Sequence, residues 1–153
     1  MEGIINLEDV FEEEDVLEVK RYEFPRVGIT LDIQTMRMHV GVSRSVWKAS
    51  LVLAQELETL SAPRILELGS GTGLGGIFAK KLYPKSEIHM SDICLKSIAS
   101  IEANLKLNSA EATVHQLQGG NFEGQFAYAK KRAFELVIAS DVVYLPECLL
   151  PLL

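Results

Sequence analysis

The sequence predicts an α/β fold, a doubly wound and mostly parallel sheet preceded by an N-terminal β-hairpin. Three observations point there. The apolar run Arg64-Ile65-Leu66-Glu67-Leu68 passes straight into Gly69-Ser70-Gly71-Thr72-Gly73, and a helical stretch opens behind it. From that point strand-like and helix-like segments alternate, the rhythm of a parallel sheet covered by helices. Upstream, Gly28-Ile29-Thr30-Leu31-Asp32-Ile33-Gln34 alternates apolar and polar side chains, the pattern of a half-buried strand.

Taken in order, residues 1–15 form an acidic arm, expected to be solvated and disordered, because Glu8, Asp9, Glu12, Glu13, Glu14 and Asp15 leave little to bury. Its second reading is a surface that recruits a basic substrate. Val16 to Phe24 is the first strand of the hairpin, with Val19, Tyr22 and Phe24 favouring extended backbone. Pro25 and Gly28 bracket the turn. Over Arg44 to Leu60, Val46, Ser50, Leu53, Leu57 and Leu60 recur at helical spacing and Trp47, Leu51 and Ala54 widen the stripe. Pro63 ends that helix. Strands then follow at Arg64–Leu68, Glu87–Ser91, Ala112–Leu117 and Phe134–Ala139. Helices fall at about 74–83, stopped by Pro84, and 95–107, with Ile98, Ile101 and Leu105 inward. Gly119-Gly120-Asn121 is loop, and residues 146–153 begin a further helix. Residues 16–153 are one domain.

Composition narrows the function. The chain has 153 residues, 48% of them hydrophobic, and a formal charge of −6. No Lys/Arg run exceeds Lys130-Lys131-Arg132, so nucleic acid is not the expected partner. No apolar run is long enough for a bilayer span, and no secretion signal opens the chain. Cys94 and Cys148 have no CxxC spacing and no histidine cluster beside them, which argues for reduced thiols in the cytoplasm, with the nucleus as a second compartment, and against a metal site. His39, His89 and His115 are scattered and read as surface or structural.

The glycine turn marks a nucleotide-like cofactor site. Glycine lets a ligand approach the backbone and tolerates positive φ, and the helix behind it offers free N–H groups. In an open α/β sheet ligands bind outside the carboxyl ends of the strands. Gly69, Asp92 and Asp141 all fall at such ends, so one crevice can collect them. A dinucleotide is a poor fit. Gly71-Thr72-Gly73-Leu74-Gly75-Gly76 contains G-x-G-x-x-G, but the fingerprint needs its first glycine directly after the strand, and from Gly69 the frame is G-x-G-x-G. A P-loop is excluded by the lack of Gly-Lys-Ser/Thr. S-adenosylmethionine fits better. It carries a sulfonium, an ammonium and a ribose diol but no pyrophosphate. Glu67 stands where it can face the positive end, directly or through water, and Asp92 can accept from both ribose hydroxyls.

Three blocks carry a resemblance to a known family. Val46-Trp47-Lys48-Ala49-Ser50-Leu51-Val52-Leu53-Ala54, Leu66-Glu67-Leu68-Gly69-Ser70-Gly71-Thr72-Gly73-Leu74 and Ala139-Ser140-Asp141-Val142-Val143-Tyr144 resemble, in order and spacing, the seven-β-strand S-adenosylmethionine-dependent methyltransferases, whose fold is Rossmann-like. More narrowly the chain looks like the methyltransferase-like protein-lysine methyltransferases (methyltransferase family 16), from about Val27 onward. The resemblance implies S-adenosylmethionine as cofactor, held by Trp47, Glu67, Gly69, Ser70, Gly71, Gly73, Asp92 and Ser140. It implies Asp141 and Tyr144 as catalytic residues and a protein substrate presenting a lysine. Gly119-Gly120 stands where the family has a Trp-Gly pair beside the adenine. The family fold has three strands beyond the Asp-x-x-Tyr block, so the chain is expected to be C-terminally truncated. Two other readings remain open. One is an exocyclic-amine nucleic-acid methyltransferase, which needs an Asp/Asn-Pro-Pro-aromatic motif where this chain has Val142 and Val143. The other is a non-catalytic binding module.

Overall fold

The computed structural model describes residues 16–37, 46–117 and 134–142. The expectations for the acidic arm, His39, Gly119-Gly120, Tyr144, Cys148 and the last helix lie outside those residues. The elements run β1 (Val16–Phe24), β2 (Ile29–Arg37), α1 (Lys48–Leu57), β3 (Arg64–Leu68), α2 (Leu74–Leu82), β4 (Glu87–Asp92), α3 (Leu95–Leu107), β5 (Thr113–Gln116) and β6 (Leu136–Ala139).

β1 and β2 form an antiparallel hairpin, in register from Phe24 opposite Ile29 to Val16 opposite Arg37. The turn needs Gly28, whose φ of 68° is left-handed. The alternation read from β2 is realised: Leu31, Ile33 and Thr35 are buried. Arg21 and Asp32 pair across the strands at 2.8 Å.

The other four strands form one parallel sheet in the order β5-β4-β3-β6. The chain steps outward from β3 to β4 to β5, then returns to add β6 on the far side of β3. That reversal opens a crevice at the carboxyl ends of β3 and β6, where open α/β sheets bind ligands. At the opposite end, the Arg64 guanidinium grips the Glu135 carboxylate and the Glu135 N–H donates to the Arg64 carbonyl at 3.2 Å, which aligns β6 on β3.

The core lies between this sheet, α2, α3 and the hairpin. Ile65, Ile88, Met90 and Ile138 come from the sheet, Ile77 and Phe78 from α2, and Ile98, Ile101 and Leu105 from α3. Phe24 of the hairpin packs its ring on Phe78, centroids 4.5 Å apart. α1 packs against α2 and buries Ala54 and Leu57. This helix is shorter than the Arg44–Leu60 stretch expected from periodicity. Val46 and Trp47 precede it, and Leu60 follows it as an exposed side chain.

Among the described residues β2 pairs with no strand besides β1, yet its backbone is satisfied. Asn108 accepts from the Asp32 N–H at 2.9 Å and donates to the Asp32 carbonyl at 2.7 Å. Asn104, one turn earlier on α3, does the same for Gln34, at 2.7 and 3.0 Å. Each carboxamide stands in for a neighbouring peptide unit, since buried backbone groups must be paired. Two of the scattered histidines also meet. His89 Nδ1 lies 2.8 Å from His115 Nε2, and His89 Nε2 lies 2.8 Å from the Glu87 carboxylate. His89 is buried, so the structural reading of this pair is the one realised.

α2 sits unusually close to the sheet. A methyl group at Gly76 would fall 2.7 Å from Met90 Cγ and 2.9 Å from a Glu67 carboxyl oxygen. Gly76→Ala is therefore an overpacking change, expected to destabilise the fold by about 1–3 kcal/mol. Urea unfolding followed by circular dichroism checks it: an unchanged midpoint would mean that α2 does not need this close approach.

Candidate functional site

The site is built on the glycine turn after β3. Gly69, Gly71 and Gly73 all have positive φ, at 62°, 57° and 85°. The turn is tied to β4 by three bonds. Ser70 N–H donates to the Ser91 carbonyl at 2.8 Å, the Ser91 N–H donates to Ser70 Oγ at 3.2 Å, and Ser91 Oγ donates to the Glu67 carbonyl at 2.8 Å. Ser70 is thus a buried brace of the loop. Gly73 closes a tight turn on the Ser70 carbonyl at 2.7 Å and caps α2 in the left-handed conformation.

Glu67 points from β3 under the first turn of α2. Its carboxylate accepts from the Gly76 N–H at 3.0 Å. Burial drives the carboxyl up to about 7, the Asp92 charge adds to that, and hydrogen bonds from Ser70 and Gly76 pull it back. The tight Gly75-Gly76 step is what admits this carboxyl.

Asp92 ends β4. One carboxylate oxygen accepts from the Gly71 N–H and the other from the Cys94 N–H, both at 2.9 Å. Asp92 therefore spans the glycine turn and the entry to α3, whose N-cap is Cys94. An ionised carboxylate has about four acceptor positions, so two remain for a diol. Beside it Ile93 is 56% exposed and Leu95 52%, an apolar surface at the same carboxyl edge.

The third arm comes from the end of β6. Asp141 has φ 57°, a left-handed conformation uncommon outside glycine. Val142 packs over the glycine turn so closely that a methyl at Gly69 would lie 2.6 Å from its Cγ1. Ser140 Oγ meets Ser50 Oγ of α1 at 3.2 Å, which ties α1 to the end of β6. Trp47 is 44% exposed at the N-cap of α1.

The structure thus brings Gly69, Ser70, Gly71, Gly73, Glu67, Asp92, Ser140 and Asp141 to one edge. Sequence reasoning gave no site role to Ser91, Val142, Ile93 or the Gly75-Gly76 pair. Only the last had a local signal, two glycines inside a helical segment.

Comparison with known proteins agrees with this geometry. The family described as lysine methyltransferase matches residues 26–153. The protein N-lysine methyltransferase METTL21A of Mus musculus is 33% identical over 130 residues, which cover 81% of this chain and 58% of that protein. The ribosomal RNA small subunit methyltransferase C of Hahella chejuensis is 35% identical over 68 residues, 44% of this chain and 20% of that one. Among solved structures, a T. thermophilus 16S rRNA methyltransferase in complex with AdoMet and guanosine superposes with a TM-score of 0.60 at 17% identity, covering 81% of this chain and 32% of that chain; at that identity the likeness shows the fold. The chain spans a little over half the length of the METTL21A relative. With its fold, its glycine turn and the match over residues 26–153, the chain belongs to the lysine methyltransferase family.

Proposed function

We propose that this protein transfers a methyl group from S-adenosylmethionine to a lysine amine of a protein substrate. The observation that carries this reading is the meeting of three arms at one sheet edge: the glycine turn after β3, Asp92 after β4 and Asp141 after β6, locked by the Gly71–Asp92 hydrogen bond and the Gly69–Val142 contact.

The residues suit the cofactor of the family. No basic residue occurs between Arg64 and Lys80, so the loop offers no side-chain cation to a pyrophosphate. It has instead two carboxyls, Glu67 and Asp92, which suit a cationic ligand with a ribose diol. S-adenosylmethionine supplies an activated methyl on a sulfonium, so the protein needs no covalent intermediate. Asp92 holds the ribose hydroxyls with its free acceptor positions. The left-handed backbone of Gly69 and Gly71 shapes the turn that the cofactor meets. Ile93 offers the adenine an apolar face, in the absence of the family's Trp-Gly pair. Glu67 offsets the positive charge from beneath the turn.

Asp141 holds the incoming amine and receives or relays its proton, since a lysine with a free pKa of about 10.4 is protonated at neutral pH. Desolvation in the crevice favours the neutral nucleophile. Alignment of the two reacting groups supplies the rest, up to roughly 7–11 kcal/mol in favourable geometries. The family resemblance implies Tyr144 as the second catalytic residue. The cytoplasm is the proposed compartment.

An rRNA base is the second acceptor considered, because the Hahella relative acts on ribosomal RNA by name. The charge of −6 and the valines at positions 142 and 143 weigh against it. Labelling a cell lysate with tritiated S-adenosylmethionine separates the two: protease-sensitive, ribonuclease-resistant label is expected, and the reverse would overturn the lysine reading.

Asp141→Asn keeps a residue that tolerates left-handed backbone but removes the charge. It should lower methyl transfer by about 100-fold or more with S-adenosylmethionine affinity retained by calorimetry. Undiminished transfer would remove Asp141 from the mechanism.

Glu67→Gln separates stability from binding. The Glu67 carboxyl titrates near 7 in the folded chain and at 4.5 when unperturbed. Between those values the folded state holds a proton that the unfolded state has lost, so wild-type stability falls as pH rises from 4.5 to 7 and levels off above. The carboxamide introduced by the substitution keeps an acceptor for the Gly76 N–H and does not titrate. The variant should lose that downward slope in chemical denaturation, be at least as stable as wild type at a pH well above the folded-state value, and bind S-adenosylmethionine more weakly. Parallel pH profiles for the two proteins would show that Glu67 is not the titrating group.

A further inference from the structure

Asn104 sits in the buried stripe of α3, three residues after Ile101 and one before Leu105, and is fully buried. A polar residue there is costly unless its hydrogen-bonding positions are filled. They are. The carbonyl oxygen accepts from the Gln34 N–H, and the amide nitrogen donates to the Gln34 carbonyl and, at 2.9 Å, to the Thr72 carbonyl. Thr72 is the buried centre of the glycine turn, and Gly73 beside it holds the left-handed conformation that starts α2. One carboxamide therefore joins the hairpin, α3 and the cofactor turn.

Asn108 provides an internal comparison. It makes the same pair of bonds to β2, at Asp32, but its further bond goes to the Asn104 carbonyl, at 2.8 Å, within α3 and its cap. Both asparagines hold the hairpin to α3, and Asn104 additionally fixes the carbonyl of Thr72.

We propose that Asn104 is a positioning residue for the cofactor turn, fixing the Thr72 carbonyl to strand β2 so that the hairpin and the turn form one unit and the turn is pre-formed before ligand arrives. The proposal rests on the reading of that turn as the S-adenosylmethionine site. Pre-formation matters because a loop that must be ordered on binding spends part of its binding energy on that ordering. With Asn104 removed, the Thr72 carbonyl loses its anchor and the turn can relax away from the geometry set by Gly71 on Asp92.

The test compares Asn104→Ala with Asn108→Ala, since both weaken the hold on β2 and only the first releases the turn. Without ligand, hydrogen exchange at the amides of Gly71, Gly73 and Ile77 should quicken in Asn104→Ala and stay near wild type in Asn108→Ala. Calorimetry at a temperature where both variants are folded should show a dissociation constant for S-adenosylmethionine about tenfold higher in Asn104→Ala than in Asn108→Ala. Equal exchange at the turn, or equal affinities, would overturn the proposal. If Asn104→Ala does not fold, the wild-type protein decides. Without ligand, the Asn104 side-chain amide held on the Thr72 carbonyl should already exchange slowly with solvent, and exchange as fast as that of a solvated carboxamide would overturn it. If the turn opens only in Asn104→Ala while the wild-type protein binds no S-adenosylmethionine, the cofactor reading falls and Asn104 stands as the anchor of the turn.

Discussion

The carboxyl of Glu67, buried between β3 and α2, is the contact on which the glycine turn and the start of α2 depend. Burying a carboxyl is unfavourable unless donors meet it. Here the donors are the Gly76 N–H and Ser70, and the first exists only because α2 begins where it does. The helix can begin there only if nothing projects from its near side, which is why Gly75 and Gly76 follow the turn. Met90 fills the space that remains. Of the glycines in the displaced dinucleotide-like frame, Gly76 thus serves helix-to-strand packing, while Gly71 and Gly73 join Gly69 in shaping the turn.

The same carboxyl links structure to charge. Asp92 adds to the unfavourable cost of ionising Glu67, and Asp141 stands at the end of the neighbouring strand. With no basic side chain between Arg64 and Lys80, Asp92 and Glu67 repel each other in the free protein. A cation relieves that repulsion and favours the ionised form of Glu67.

Much of this was legible in the sequence, for physical reasons that differ by element. β3 and α3 fall where the pattern put them, because a buried parallel strand reads as an apolar run and α3 keeps a steady 3.6 period through Ile98, Ile101 and Leu105. The first helix was overextended because Val46 and Leu60 continue the apolar spacing by coincidence; neither is helical, and Leu60 faces solvent. The turn residues and Asp92 were readable because local backbone chemistry demands glycine and a strand-end carboxylate. Val142 over Gly69, Ser91 on the turn and the meeting of His89 with His115 were not, since each joins segments brought together only by strand order.

Asn104 and Asn108 show why that last kind of information escapes a linear reading. In sequence they look like polar interruptions of an apolar helical face. Their partners lie 70 and 76 residues earlier, on the hairpin. A strand that borrowed a third strand for its open edge would have extended the hairpin into a larger sheet. Borrowing carboxamides from α3 instead sets the hairpin on the helices that carry the cofactor turn. The hairpin is thereby part of the cofactor edge's support, even though no residue of it reaches the crevice through the bonds described above.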